Sequence, residues 1–236
     1  MTFTQSEFDI RLEWGEHGVN LLAPISDVVV IVDVLSFTTC VEIATNRKAI
    51  IYPYRGKLET AQEFARSVGA ELAGKNRDAK YSLSPQSMTK IPEGIKLVLP
   101  SPNGSTLTLT TGDIPTLAGC IRNARAVAEA AKQYGEQIAI IPAGERWPDG
   151  SLRPSFEDLI GAGAIVNYLD GKCSPEAYAA KSAFLSAQEN LENLLLQCGS
   201  GKELIERGYQ EDVFLASRLN VSDCVPTLQD SAYRAQ

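Results

Sequence analysis

Residues Val28–Val32 read VVVIV and run directly into Asp33. A β-branched run without polar alternation describes a strand buried on both faces, as in a sheet covered by helices. Further strand segments are Ala49–Tyr52, Leu97–Pro100 and Ile138–Pro142, with Thr116–Ala118 and Phe8–Leu12 weaker. Helical patterns lie between them. The segment 58–68 gathers Leu58, Ala61, Phe64, Ala65 and Val68 on one face, Asn123–Tyr134 is rich in helix formers, and Phe156–Leu169 follows a Pro-rich loop. This alternation predicts an α/β fold with a mixed, largely parallel sheet.

After Gly171 the pattern changes to consecutive helices from Ser174 to Ala216. Ser174-Pro175-Glu176 has the composition of a helix start, and Gly199 and Gly208 are expected to end two helices. These helices are expected to pack on the sheet. Residues 1–236 are thus read as one α/β domain, with 174–236 mostly helical. A chain of 236 residues buries roughly 70% of its unfolded surface and needs neither disulfide nor metal to fold.

Charge and cysteine usage narrow the function. The net charge is -7 with no basic stripe, which argues against a nucleic-acid partner. Five cysteines, an odd number without a CxxC pair, argue against a disulfide framework and a zinc ribbon. The N-terminal MTFTQSEFDI is not patterned as a signal peptide, and no apolar run reaches the roughly 18 residues of a membrane helix. A cytoplasmic protein with no membrane partner is the default, and a homodimer is expected on base rates alone.

Four segments carry groups suited to chemistry. Asp33 follows the buried strand, where open α/β sheets gather ligands; it can hold Mg²⁺, attack phosphorus, orient a water, or simply cap the next helix. Pro100-Ser101-Pro102-Asn103-Gly104-Ser105-Thr106 is either a phosphate-binding nest at a helix start or an Asn-Gly hairpin turn. Cys120-Ile121-Arg122-Asn123-Ala124-Arg125 sits at a third strand end. Its Cys-to-Arg spacing is one residue short of the tyrosine phosphatase signature, and Asn123 is a candidate helix cap. Ala143-Gly144 then opens a loop carrying Glu145, Arg146, Asp149 and Arg153, before Ser155-Phe156-Glu157-Asp158 begins a helix with a loose capping-box pattern. His17 is the one histidine, which excludes histidine phosphatases and Ser-His-Asp hydrolases. There is no Walker sequence and no second Asp two residues beyond Asp33.

In order along the chain, VDVLSFTT, AGKNRDAKYSLSP, LPSPNGSTL, LAGCIRNARAVA and IIPAGERWPDGSLRPSFEDLIGAGAIV resemble the motifs of the 2-phosphosulfolactate phosphatase family. That family's founding activity belongs to coenzyme M synthesis. The resemblance implies a three-layer α/β/α fold, Mg²⁺ dependence and hydrolysis of a small anionic phosphate monoester. It implies Asp33, Glu157 and Asp158 as catalytic acids, with Asp33 and Asp158 on the metal. Asn103, Gly104, Ser105, Thr106, Asn123, Gly144, Arg146 and Arg153 are then the substrate contacts. Two positions depart from the pattern. Ser36 stands where the family has Arg, and Gly74-Lys75-Asn76 replaces Gly-Glu-Arg. Arg77, Arg122, Arg146 and Arg153 are the candidate replacements. Two rival readings are a non-catalytic binder of an anionic metabolite, and a hydrolase or lyase of another small acid on the same scaffold.

Overall fold

The computed structural model describes residues 2–56 and 58–236; the side chains of Thr2, Leu58 and Glu59 also fall outside the described residues, so the predicted face of the segment 58–68 is described without Leu58. In chain order the strands are β1 (Ile10–Leu12), β2 (Val28–Val32), β3 (Ile50–Tyr54), β4 (Glu71–Leu72), β5 (Lys96–Pro100), β6 (Thr116–Gly119), β7 (Ile138–Pro142), β8 (Glu145–Arg146), β9 (Leu152–Arg153), β10 (Pro226–Gln229) and β11 (Ala232–Ala235). The helices are α1 (Gly15–Leu22), α2 (Phe37–Asn46), α3 (Leu58–Val68), α4 (Pro85–Met88), α5 (Gly104–Thr110), α6 (Ala124–Ala131), α7 (Phe156–Val166), α8 (Pro175–Ala187), α9 (Leu191–Gln197), α10 (Gly199–Glu206) and α11 (Gln210–Ala216).

Nine strands form one mixed sheet in the order β1-β7-β2-β6-β10-β11-β3-β5-β4 among the described residues. The blocks β1-β7-β2-β6 and β3-β5-β4 are parallel throughout, and the antiparallel hairpin β10–β11 joins them. Strand β2 behaves as its composition predicts. Val28, Val30 and Val32 pack into one core with Val127 of α6, Ile160 and Ile165 of α7 and Phe184 of α8. Val29 and Ile31 enter the opposite core with Val19 and Leu22 of α1 and Leu107 of α5. Each such side chain contributes roughly 1.5–3 kcal/mol when fully buried, so this strand anchors both helix layers. In the second block, α2 packs Phe37, Cys40 and Val41 against Ile51, Leu97 and Leu99, while Ala65 of α3 covers Tyr52 and Val98 on the other side. The result is the three-layer α/β/α arrangement expected.

Three local readings change. Gly199 opens α10 instead of ending a helix, whereas Gly208, at φ +85°, does follow the end of α10. The Asn103-Gly104 pair begins α5 and is not a hairpin turn. The end of the chain leaves the helical layer and returns to the middle of the sheet as β10–β11. Its two-residue turn is Asp230-Ser231, with φ +49° and +61°. Ser174 caps α8 as predicted, accepting from the Ala177 N–H at 3.2 Å.

Candidate active site

The parallel strands β2 and β7 end side by side, with Val32 opposite Pro142. Asp33 continues from the first and Ala143-Gly144 from the second. Asp158, on the first turn of α7, ties these ends together. Its Oδ1 accepts from the Val34 N–H at 2.7 Å, and its Oδ2 accepts from the Gly144 N–H and the Ser155 hydroxyl, both at 2.8 Å. The expected capping box does not form: the Ser155 hydroxyl makes no bond to the helix backbone and instead donates to the Asp158 side chain. Gly144 is at φ +68°, and a Cβ there would lie 2.9 Å from the Arg153 carbonyl, so only glycine fits the turn.

Asp33 is held from two elements. The Phe37 N–H donates to Oδ1 at 3.1 Å and the Gly104 N–H to Oδ2 at 2.8 Å. A Cβ on Gly104 would run into the Phe37 ring and approach Asp33 Oδ2 to 2.7 Å. The N–H that sequence reading offers to a phosphate thus secures a carboxylate. Neighbouring Asn103 turns its amide outward from α5 and donates to Glu145 Oε2 at 3.0 Å. Sequence reading names Glu145 only as part of the charged loop, with no catalytic role. Its local signal was its place directly after Gly144 at a strand end.

Four acids meet here, as their mutual electrostatics record. Asp33 is raised to about 6 by burial and by Glu157, against the Phe37 and Gly104 N–H groups and the charge of Arg77. Glu145 is raised to about 7 by burial, Asp33 and Glu157, with Asn103 and Arg153 opposing. Asp158 is pushed well above the usual range by burial, Asp33 and Glu157. Glu157 is itself buried, beside Cys198, whose thiol is pushed up to about 12 by its own burial and by Glu157.

The remaining candidates divide. Ser105 is fully buried and donates inward to the Leu99 carbonyl at 2.9 Å. Thr106 faces a separate cavity of about 310 Å³ with Tyr54, Arg55 and Pro102. Asn123 is buried with its amide fully engaged: Oδ1 accepts from the Cys120 N–H, and Nδ2 donates to the Ala118 and Cys224 carbonyls. The hydrogen bonds described for the Ser105 and Asn123 side chains go to partners other than the acids. Among the arginines, Arg122 is paired with Glu42 and donates to the Leu215 carbonyl. Arg77 pairs with the buried Asp212 at 2.8 Å and donates to Ser36 Oγ at 3.1 Å, so a guanidinium does reach the position where the family carries Arg. In the small β8–β9 ladder Glu145 lies opposite Arg153 and Arg146 opposite Leu152. Pleat alternation therefore puts Arg153 on the Glu145 side and Arg146 on the other. Arg146 donates to the Gly150 carbonyl.

This donor set fits a hard divalent cation. Buried carboxylates raise one another, opposed by Arg77 at Asp33 and by Arg153 at Glu145. No three acidic, thiol or imidazole groups close into a ready cage among the described residues. Mg²⁺ suits such a site, because it is commonly held by one or two carboxylates with water and phosphate oxygens completing the octahedron.

The clustered carboxylates at the carboxyl ends of neighbouring strands mark the candidate active site, and the family gives the class of enzyme, a phosphoric monoester hydrolase. The chain belongs to the 2-phosphosulpholactate phosphatase family, whose model matches residues 19–231. It is 27% identical over 209 residues to the 2-phosphosulfolactate phosphatase of Methanothermobacter thermautotrophicus, covering 87% of this chain and 88% of the relative. It is 31% identical over 209 residues to a probable 2-phosphosulfolactate phosphatase of Carboxydothermus hydrogenoformans, covering 84% of each. A probable 2-phosphosulfolactate phosphatase of Thermotoga maritima is 27% identical over 223 residues, 90% of this chain and 96% of the relative. No helix among the described residues is long and apolar enough to cross a membrane.

Proposed function

We propose that this chain is a Mg²⁺-dependent phosphatase of a small acidic phosphate monoester, 2-phosphosulfolactate or a related phospho-hydroxy acid. The observation that carries the reading is the convergence of Asp33, Glu145 and Glu157 beside Asn103. Asp33 and Glu157 would hold the cation. When bound, it polarises the phosphoryl oxygens and offsets their charge. Asp158 spends its oxygens on three donors and acts as a positioning residue, keeping the ends of β2 and β7 in register.

Glu145 is raised to about 7, chiefly by burial, and is oriented by Asn103, a combination suited to a general acid. Water adds to phosphorus, and the bond from phosphorus to the ester oxygen breaks. Glu145 protonates the departing alkoxide and recovers a proton from the water that attacked. The products are the hydroxy acid and inorganic phosphate.

The test is phosphate release from a panel including 2-phosphosulfolactate and 2-phospholactate, with and without Mg²⁺. Metal-dependent release that falls at least about 100-fold in Asp33→Asn supports the reading. Full turnover retained by Asp33→Asn and Glu157→Gln, or no release from any ester by folded wild-type protein, overturns it.

A further inference from the structure

We propose that Arg153 is the specificity-determining residue that binds the second, carbon-borne anion of the substrate, a carboxylate or sulfonate. This rests on the phosphatase reading of the same site and goes beyond it by naming the residue and the group it reads. An acidic ester brings two anionic ends. The Asp33 end of the site is carboxylate-rich and takes the phosphoryl group through a cation. The other end of the ester needs a fixed positive charge that no protein acid already occupies.

Four arginines are the candidates, and the structure separates them. Arg77 is occupied by the buried carboxylate of Asp212. Arg122 is occupied by Glu42, which is fully buried. Arg146 is on the far face of its ladder from Glu145, bonded to Gly150 within the exposed loop. Arg153 remains. It is half-buried and in no ion pair among the described residues. Its guanidinium rests over the Trp147 ring at 5.7 Å and donates to the Ser200 hydroxyl at 3.3 Å.

That position borders the reacting acids. Across the ladder Arg153 faces Glu145, whose proton affinity it lowers. Its other side lies against Gly199, where an added Cβ would sit 3.5 Å from Nη1, and the adjoining Cys198 touches the surroundings of Glu157. A planar guanidinium with donors to spare and an aromatic backing suits bidentate contact with a carboxylate or sulfonate. The weak Ser200 bond is readily exchanged for it.

The experiment compares kcat/KM for 2-phospholactate with that for isopropyl phosphate, which lacks the second anion, at one fixed pH. Affinity for 3-sulfolactate is measured in parallel by calorimetry. Arg153→Met is expected to lower the 2-phospholactate to isopropyl phosphate ratio about 30-fold or more, and to weaken 3-sulfolactate binding by a similar factor. Arg153→Gln, which keeps a donor for Ser200, is expected to do the same, whereas Arg66→Met, on the exposed side of α3, keeps the wild-type ratio. Running the panel with 2-phosphosulfolactate shows whether the sulfonate or the carboxylate is the group read. An unchanged ratio in both Arg153 variants, or 3-sulfolactate affinity equal to wild type or absent from wild type, overturns the assignment. Failure of wild-type protein to release phosphate from any ester overturns the phosphatase reading instead, and the calorimetry then decides the role of Arg153 alone.

Discussion

Arg77 Nη2 donates to Ser36 Oγ at 3.1 Å, bringing a guanidinium from the loop after β4 to the residue that follows β2 by four positions. Arg77 therefore lies beside both departures from the family pattern, in contact with Ser36 and next in sequence to Asn76. Asp212 of α11 locks this arrangement, accepting from Arg77 at 2.8 Å, from the Ser84 hydroxyl at 2.7 Å and from the Gln86 N–H at 2.9 Å. The linkage predicts a double-mutant cycle. Ser36→Arg alone sets a second cation against Arg77, and Arg77→Ser alone strands Asp212. Each should lower stability, and the double substitution should recover much of the loss, with a coupling energy above about 1 kcal/mol. Additive single effects in urea unfolding would show that the two positions are independent.

Asp158 gives the second prediction. Removing its carboxylate leaves the Val34 and Gly144 N–H groups and the Ser155 hydroxyl without their acceptor, each costing about 1–3 kcal/mol when buried. Asp158→Ala should lose at least about 3 kcal/mol, a drop in Tm of roughly 6–12 °C for a chain this size. Activity should fall with it, because the ends of β2 and β7 are no longer held together. A thermal scan of Asp158→Ala matching wild type would remove the architectural role.

Gly104→Ala isolates close packing from backbone freedom. Gly104 begins a helix, where alanine is ordinarily favoured. Here the added methyl meets the Phe37 ring and Asp33 Oδ2. The substitution should cost about 1–3 kcal/mol as overpacking and displace the Asp33 carboxylate, so kcat/KM falls more than stability alone explains. Gly112→Ala is the contrast. Its φ is +66° with no atom within 4 Å, so it should cost about 1 kcal/mol and leave kcat/KM intact. Chemical denaturation and initial rates on both variants decide the matter.

What could be read in advance follows from the range of the interactions. Strand β2 and the Asp33 turn are written in contiguous residues, so periodicity and strand-end position revealed them, whereas at Asn103-Gly104 a helix start and a hairpin turn remained open until the structure showed α5. Glu145 owes its role to Asn103, 42 residues away, and Arg77 owes its role to Ser36 and Asp212. No local pattern carries such pairings. The β10–β11 hairpin was hidden for a different reason. Its turn uses Asp230 and Ser231 at positive φ without the glycine that usually signals it. The helix assigned to Gly199 was misjudged because a glycine that opens a helix and one that ends it look alike in sequence.

Stability against pH tests the acid cluster directly. Asp33, Glu145 and Asp158 have folded-state affinities for protons above their ordinary values, so the folded chain binds more protons than the unfolded one. Their contribution is fully present below the ordinary values of 3.8 and 4.5 and is lost progressively as pH rises through about 6 for Asp33 and about 7 for Glu145. In EDTA, Tm should therefore fall across that window, and excess Mg²⁺ should flatten the fall if the carboxylates bind it. Circular dichroism melts at half-unit steps measure both curves. A flat or rising Tm in EDTA between pH 5 and about 8 would contradict the cluster.

The Asn103 to Glu145 hydrogen bond makes a prediction that separates chemistry from architecture. Glu145 is raised to about 7 chiefly by burial, and Asn103 partly opposes that rise by donating to its charged form. A general acid works while protonated, so the rate should decline as pH passes the titration of Glu145. Asn103→Leu removes the opposing donor. It should move the alkaline limb of the kcat profile to higher pH while lowering kcat at its plateau, because the acid is less well aimed. Glu145→Gln cannot donate a proton of useful acidity and should abolish the limb, with a larger loss for esters of poor leaving groups than for p-nitrophenyl phosphate, whose departing oxygen needs no proton. If Asn103→Leu leaves the limb in place, or if Glu145→Gln slows both classes of ester equally, Glu145 serves the site as a fixed charge and the proton comes from elsewhere.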